Sequence, residues 1–317
     1  MDVVCLGILV ADIFSNPIHS LPSAGELRVT DRFLLSAGGC ATNTAACLRR
    51  LGRSVKVVGK VGVDVFGDFV LSDLDRYGID VSQIRRSPTH QTSGTFILNV
   101  CGDDRRYIHF VGANADFSLR DVDYSALAGA RVLYVGGYLA MPRFGAQDLV
   151  SLLKEAKKRS LLTVVDVVIP AGNSVSLSQV EPILAHTDVF LPNQDEAMIL
   201  TGEREAEVQA DFLGRMNSEC TIVITQGHRG ALAKRGMETL RAQTYDVKSV
   251  DESGAGDAFT AGFITALLEN WSLEDSLRFA SAVGASCTTK LGCIDGVFQF
   301  DEAMEFVSTH SIKIVSC

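Results

Sequence analysis

Short runs of β-branched and aliphatic residues recur along this chain, and most are followed by a stretch with helical periodicity. The runs at 3–10, 55–62, 130–137, 161–168, 188–193 and 220–227 read as buried strands, since they stay apolar on both alternating positions. Between them the pattern predicts helices over 41–51, 67–77, 144–159, 195–201 and 205–216. A repeated strand-then-helix order implies a mostly parallel sheet with helices on its two faces, an α/β three-layer sandwich. The chain has 317 residues, 47% of them hydrophobic, so it can bury a large core. No Pro/Ser-rich or charged linker interrupts it, and one domain spanning 1–317 is expected.

Two stretches break the rhythm. Residues 13–35 alternate only weakly and contain Pro17, Pro22 and Gly25, while 92–110 reads as two strands joined by a Gly-Asp-Asp turn. Together these insertions, at about 12–35 and 92–111, predict a small antiparallel β lid over the carboxyl ends of the parallel strands. Open α/β sheets place their ligands there. Edge strands on such a lid would pair between subunits, so a homodimer through the lid is expected.

Charge and cysteine usage narrow the function classes. The formal net charge is -9 and the basic residues are scattered in short pairs, which argues against nucleic acid as a partner. The opening MDVVCLGILVAD has an acid at Asp2, no basic lead and too short an apolar run for a secretory or membrane segment. A cytoplasmic protein with no membrane partner is expected. The eight cysteines include no Cys-x-x-Cys pair and read as buried thiols; the six histidines form no metal-ligand cluster.

DESGAGDAFTAGF, residues 251–263, opens an apolar helix expected at 258–270 after a candidate strand at 243–250. Small residues at a helix start leave backbone N–H groups bare, and the helix dipole adds positive charge, which together make an anion site. A carboxylate beside that site would repel a resting phosphate, so Asp257 suits a proton acceptor better than a binding group. It could take a hydroxyl proton while the amides of Gly254, Ala255 and Gly256 stabilise a transferring phosphoryl group. Helix capping by Asp257 is the alternative, worth roughly 0.5 to 2 kcal/mol. A Walker A loop is excluded, because no Gly-Lys-Ser/Thr follows the glycines. A second glycine-rich helix start, LLSAGGCATNTAACLRRLG at 34–52, allows close approach at Gly38-Gly39 and offers the two-sided amide of Asn43 to hydroxyls; a tight turn with Asn43 as a local cap fits the same residues.

The pair AGGCATNTA (37–45) and DESGAGDAF (251–259), in this order, resembles the ribokinase, or PfkB, family of carbohydrate kinases. VGKVGVDVFG (58–67), FLPNQDEAMILTG (190–202) and VITQGHRGA (223–231) extend the likeness over nearly the whole chain. The resemblance implies a ribokinase-like fold and ATP-dependent phosphorylation of a sugar's primary hydroxyl, with ribose, fructose or a related sugar as acceptor. It implies Asp257 as catalytic base, Gly254, Ala255 and Gly256 as its anion hole, and Asp12, Gly38, Gly39 and Asn43 as sugar ligands. Asn193 and Glu196 match the Asn-x-x-Glu that orders the water shell of Mg²⁺; they equally spell a helix-capping box. Thr225, Gly227 and Gly230 match the loop that meets the nucleotide, although the glycines alone read as a hairpin turn. The small residues of 282–292 match the adenine pocket or, equally, close helix packing. Asp251 matches a position tied to a monovalent cation such as K⁺, a role that Glu252 puts in question. Thr95, Asn99, Arg105, Arg106, His109 and Tyr138 are candidate substrate contacts. A nucleoside kinase of the same fold, or a non-catalytic sugar- or nucleotide-binding sensor, are the competing readings.

Overall fold

The computed structural model describes residues 1–16, 18–101, 106–172 and 175–317. Its first third contains β1 (Val3–Gly7), β2 (Val10–Ser15), β3 (Phe33–Gly38), α1 (Cys40–Arg50), β4 (Val55–Gly62), α2 (Val65–Arg76), β5 (Asp80–Ser87), β6 (Gly94–Leu98) and β7 (Arg106–Phe110). The middle contains β8 (Val132–Tyr138), α3 (Ala146–Lys158), β9 (Leu162–Val167), α4 (Glu181–Leu184), β10 (Val189–Phe190), α5 (Gln194–Thr201), α6 (Ala206–Gly214) and β11 (Thr221–Thr225). The last part contains β12 (Ala231–Arg235), β13 (Glu238–Ala242), α7 (Ala255–Leu268), α8 (Leu273–Cys287), α9 (Phe300–Thr309) and β14 (Ile314–Ser316).

The main sheet has the order β14-β13-β12-β11-β10-β9-β8-β1-β4-β5. From β11 to β5 every pairing is parallel, and the β11 to β14 edge is antiparallel. Side-chain alternation sorts the core into two layers. Val3 and Cys5 point to the face covered by α1, α2, α7, α8 and α9, whereas Val4 and Leu6 point to the face covered by α3, α4, α5 and α6. α7 lies between α1 and α8 against the sheet, which explains why it is apolar around most of its circumference.

The expected strand over 3–10 is in fact two strands in two sheets. The chain leaves the main sheet after Gly7, which has φ 153° and where a Cβ would lie 1.9 Å from the Gly136 carbonyl oxygen. Only glycine fits that close approach. The step from β1 to β2 leaves Leu9 without a ladder partner, and Asn114 supplies one. The Leu9 N–H donates to Asn114 Oδ1 at 3.2 Å, and Asn114 Nδ2 donates to the Leu9 carbonyl at 3.0 Å.

The second sheet has the order β3-β2-β6-β7, antiparallel at both edge pairs and parallel at the central β2·β6 pair. Its outward face carries a cross-strand apolar row, Leu35, Ile13, Phe96 and Ile108, with Phe33 and Phe110 beside it, 70% and 53% exposed. The Gly-Asp-Asp turn and Pro17 lie outside the described residues.

The candidate strand at 243–250 is irregular backbone. The free edge of β13 is taken by β14, and Tyr245 and Val247 pack instead with Ala282, Ala285 and Phe306 of α8 and α9. Among the described residues no helix is long and apolar enough to cross a membrane. Replacing Asn114 by Leu leaves both Leu9 groups buried and unpaired, so unfolding in denaturant should show a loss of roughly 2–4 kcal/mol.

Candidate functional site

Two helix starts meet over the carboxyl ends of the parallel strands. Gly39, with φ 89°, is the N-cap of α1, and Gly254, with φ 76°, is the N-cap of α7. Neither tolerates a side chain: a Cβ on Gly39 would sit 2.5 Å from the Ile8 carbonyl oxygen, and one on Gly254 2.6 Å from Cys293 Cβ. At the helix starts Asn43 Nδ2 of α1 donates to Asp257 Oδ2 of α7 at 2.9 Å, and the Cys40 thiol also hydrogen-bonds the Asp257 carboxylate. Asn43 Oδ1 is buried with no partner among the described residues, an acceptor left over for a hydroxyl. The side chain of Asp257 therefore stands at the head of α7 rather than capping it, and no side-chain cap bond forms there.

Burial raises the pKa of Asp257 to about 6, against the opposing hydrogen bonds from Asn43 and Cys40. Asp12 is buried on β2 and its pKa is likewise raised to about 6 by burial; Thr95 hydrogen-bonds it and opposes the rise, while the charge of Asp257 adds to it. The Asp12 carboxylate folds over Gly38, where a Cβ would be 1.8 Å from Asp12 Oδ2. Asp12, Gly38, Gly39 and Asn43 thus lie together on the lid side of Asp257.

A cleft of about 560 Å³ opens on the other side, between α7, α8 and the β11–β12 turn. Asn193, Thr225, Gly227, Gly230, Ala255 and Gly256 all line it. Asn193 and Thr225 are held side by side by an isolated parallel bridge. Gly227 and Gly230 have φ 57° and 90°, and a Cβ on Gly230 would meet the Ala242 carbonyl at 2.0 Å, so the turn itself requires glycine. Asn193 and Glu196 form the capping box of α5, with reciprocal bonds of 2.9 Å. Gly284 and Ala285 of α8 line the cleft and also let α8 approach α7 closely. The irregular 244–249 segment supplies a further wall, a role its reading as a strand concealed.

Asp251 ties the loop before α7 to the loop after α8. Its Oδ1 accepts from the Ser253 N–H at 3.0 Å and its Oδ2 from the Gly292 N–H at 2.9 Å. Of the other candidates, Tyr138 is buried and its hydroxyl donates to the Gln179 carbonyl at 3.0 Å, which makes it a structural residue. Asn99 is buried and donates to the Ser15 carbonyl at 3.1 Å, joining two lid strands. Arg106 pairs with Leu98, so strand alternation puts it on the outward lid face, and Arg105 lies outside the described residues.

The sequence reading missed Asp166. It sits on β9 facing the α1 and α7 layer, with one carboxylate oxygen accepting from Tyr134 Oη at 3.0 Å. A carboxylate of Asp166, the thiol of Cys40 and a carboxylate of Asp257 lie within 4.8 Å of one another. Burial first, then the charges of Glu196 and Asp257, push the Asp166 pKa well up; burial and neighbouring carboxylates also raise that of Glu196. A charged residue inside the apolar run LLTVVDVV was the available signal. The two carboxylates are hard oxygen donors that fit a hydrated divalent cation, while burial keeps the Cys40 thiol beside them protonated and a poor ligand for such an ion.

Gly256 differs from the other glycines here. It does not have positive φ, and a Cβ there would meet nothing within 4 Å. The space belongs to the cleft. Gly256→Ala should therefore leave the fold intact or strengthen it by roughly 0.5–1 kcal/mol through helix propensity. The same variant should lose nucleotide affinity, with calorimetric titration of ATP and thermal unfolding as the two readouts.

The model of the pfkB family carbohydrate kinases matches residues 1–299. The ribokinase of Haemophilus influenzae is 28% identical, with 95% of this chain and 97% of that protein covered. The 5-dehydro-2-deoxygluconokinase of Clostridium perfringens is 26% identical over 96% of this chain and 92% of its own length. Among solved structures, ribokinase of Arabidopsis thaliana complexed with ribose and ATP has TM-score 0.81 at 23% identity, covering 96% of this chain and 98% of that one. The nucleoside kinase of Methanocaldococcus jannaschii has TM-score 0.78 at 18% identity, covering 98% of each chain. At these identities the structures establish a shared ribokinase-like fold. With a family match over residues 1–299, this protein belongs to the pfkB family of carbohydrate kinases, phosphotransferases that act on an alcohol group.

Proposed function

We propose that the protein transfers the γ-phosphoryl group of ATP to a primary hydroxyl of ribose, fructose or a related sugar, with Asp257 as general base. The observation that carries this reading is the position of Asp257. Its carboxylate lies between Asp12 and Asn43 on one side and, on the other, a cleft lined by the head of α7, where the Ala255 N–H also reaches the Glu252 carbonyl at 3.3 Å. A base so placed accepts the attacking hydroxyl's proton, and the amides of Gly254, Ala255 and Gly256 stabilise charge on the group in transfer. Raising the Asp257 pKa toward neutrality makes it a stronger acceptor without protonating it at the working pH.

The nucleotide would lie along Thr225, Gly227 and Gly230, and Asp166 with the Asn193-Glu196 pair would hold a hydrated Mg²⁺. That ion supplies neutralisation of phosphate charge. The ribose and ATP bound by the Arabidopsis relative support this division of the site. The oxygens of Asp251 that anchor the α7 loop are also the ones we assign to K⁺, whose effect would be felt at the anion hole. We further propose that a second copy of the chain covers the apolar outward lid face. The row Leu35, Ile13, Phe96 and Ile108 crosses all four strands, and β3 and β7 are both sheet edges, so two copies related by a two-fold axis match. Closure of the lid over bound sugar would exclude water from the phosphoryl group.

Asp257→Asn tests the reading. Its kcat should fall by about 10²–10⁴ with little change in sugar KM, and kcat/KM of the parent should rise with pH through about 6. The folded pKa lies above the unfolded value of 3.8, so ionisation of Asp257 opposes folding: stability falls as pH rises from 3.8 to about 6. Asp257→Asn should accordingly melt higher than the parent at neutral pH and lose that advantage in acid. An unchanged kcat would remove Asp257 from the chemistry. For the lid, Ile108→Glu should convert a dimer to a monomer by light scattering on a sizing column; a parent that is monomeric at micromolar concentration would end the dimer proposal.

A further inference from the structure

The site-facing side of the lid has a composition that bears on which sugar is accepted. Register places Ser36, Asp12, Thr95 and His109 in one row, directly paired across β3, β2, β6 and β7. Directly opposed residues point to the same face, so His109 shares a face with Asp12. The next row on that face is Leu34, Phe14, Ile97 and Tyr107, and alternation puts no Lys or Arg of the four described strands on this side.

The hydrogen bonds along the row have a fixed direction. Thr95 has one hydroxyl proton, and its side chain bonds the carboxylate of Asp12, which when ionised can only accept. Thr95 Oγ1 also lies 3.0 Å from His109 Nδ1. With the threonine proton directed at Asp12, Nδ1 must carry the imidazole proton, which leaves Nε2 with an unshared pair. His109 is exposed, but the partial desolvation of its ring lowers its pKa and favours the neutral form. Asn43 Oδ1, unpartnered on the floor of the site, is a third acceptor.

We propose that His109, locked by Thr95 with Nε2 as acceptor, is a specificity-determining residue that together with Asp12 selects an uncharged sugar with several free hydroxyls and rejects sugar acids. Hydroxyls supply the protons these acceptors lack. A carboxylate would face the charge of Asp12 and a lone pair, with no cation on the lid strands' inner side to compensate. This rests on the proposed sugar-kinase reading and adds the class of sugar to it.

The test is a coupled kinase assay and calorimetric binding run in parallel, with ribose, fructose and 5-dehydro-2-deoxygluconate, on the parent, His109→Ala, Thr95→Val and the double variant. The parent should favour the neutral sugars in both measurements. His109→Ala should raise KM and Kd for the preferred neutral sugar about tenfold with kcat nearly unchanged, as loss of one hydrogen bond predicts. Thr95→Val should have a similar effect, and the double variant should be no worse than either single one, because all three break the same chain of bonds. His109→Lys should narrow the preference against the sugar acid. His109 is exposed on an edge strand, so its replacement should leave the melting temperature unchanged. A parent that prefers the sugar acid, or a His109→Ala variant with unaltered KM and Kd, overturns the inference and leaves the kinase reading standing. Neutral sugar bound through His109 without turnover overturns the kinase reading and keeps the selection. A parent that neither binds nor phosphorylates a neutral sugar overturns both.

Discussion

A single hydrogen bond from Asn43 to Asp257 joins residues 214 positions apart in the chain, and the architecture of the site depends on it. It holds two helix N-termini against each other over the strand ends, each begun by a glycine whose backbone conformation excludes a side chain. Because the amide donates to Asp257 with one atom and keeps its oxygen free, the contact orients the Asp257 carboxylate and leaves a buried unpaired acceptor at the same time. The α1·α7 packing beneath it, built from small residues such as Ala41, Ala45, Ala258 and Ala261, brings the two helix starts that close.

The site is expensive to fold. Asp12, Asp166, Glu196 and Asp257 all have raised pKa values, chiefly through burial and, for the first three, then through neighbouring carboxylates. Elsewhere buried charge is compensated within the fold, as where Lys60 bridges Asp116 and Asp121. Among the described residues no salt bridge is made to the acids of the site. Groups that a fold could have neutralised and did not are the ones a magnesium nucleotide and a polyhydroxyl substrate would compensate on binding, so binding should stabilise the fold strongly.

The lid depends on a different device. Gly7 lets the chain leave the main sheet beside Gly136, and Asn114 satisfies the backbone where it crosses. The lid is thereby anchored at its root by a side chain from a separate segment, while its far strands carry an apolar outer row and a polar inner one. One four-stranded sheet accordingly presents an apolar outer face and a polar inner face, with strand alternation keeping them apart.

Strand runs, helix starts, both glycine motifs and Asp257 were legible in the sequence, because local periodicity and the steric demands of glycine act within a few residues. The apolar run at 3–10 reads as one strand and 243–250 as a candidate strand, yet the first is split between two sheets and the second is irregular, since local pattern cannot say which edge is available. That was decided by Gly136 meeting Gly7 and by β14 occupying the edge of β13. Asp166 announced itself only as a charge in an apolar strand; its closeness to Cys40 and Asp257 arises from chain packing. Likewise the Ser36, Asp12, Thr95 and His109 row exists only through register across three strand pairs. The sequence by itself determined the layers and the chemistry of the helix starts, which depend on neighbours in the chain. Tertiary structure alone decided pairing partners, the gathering of acids and the contact of Thr95 with His109, because each depends on atoms brought together from distant segments.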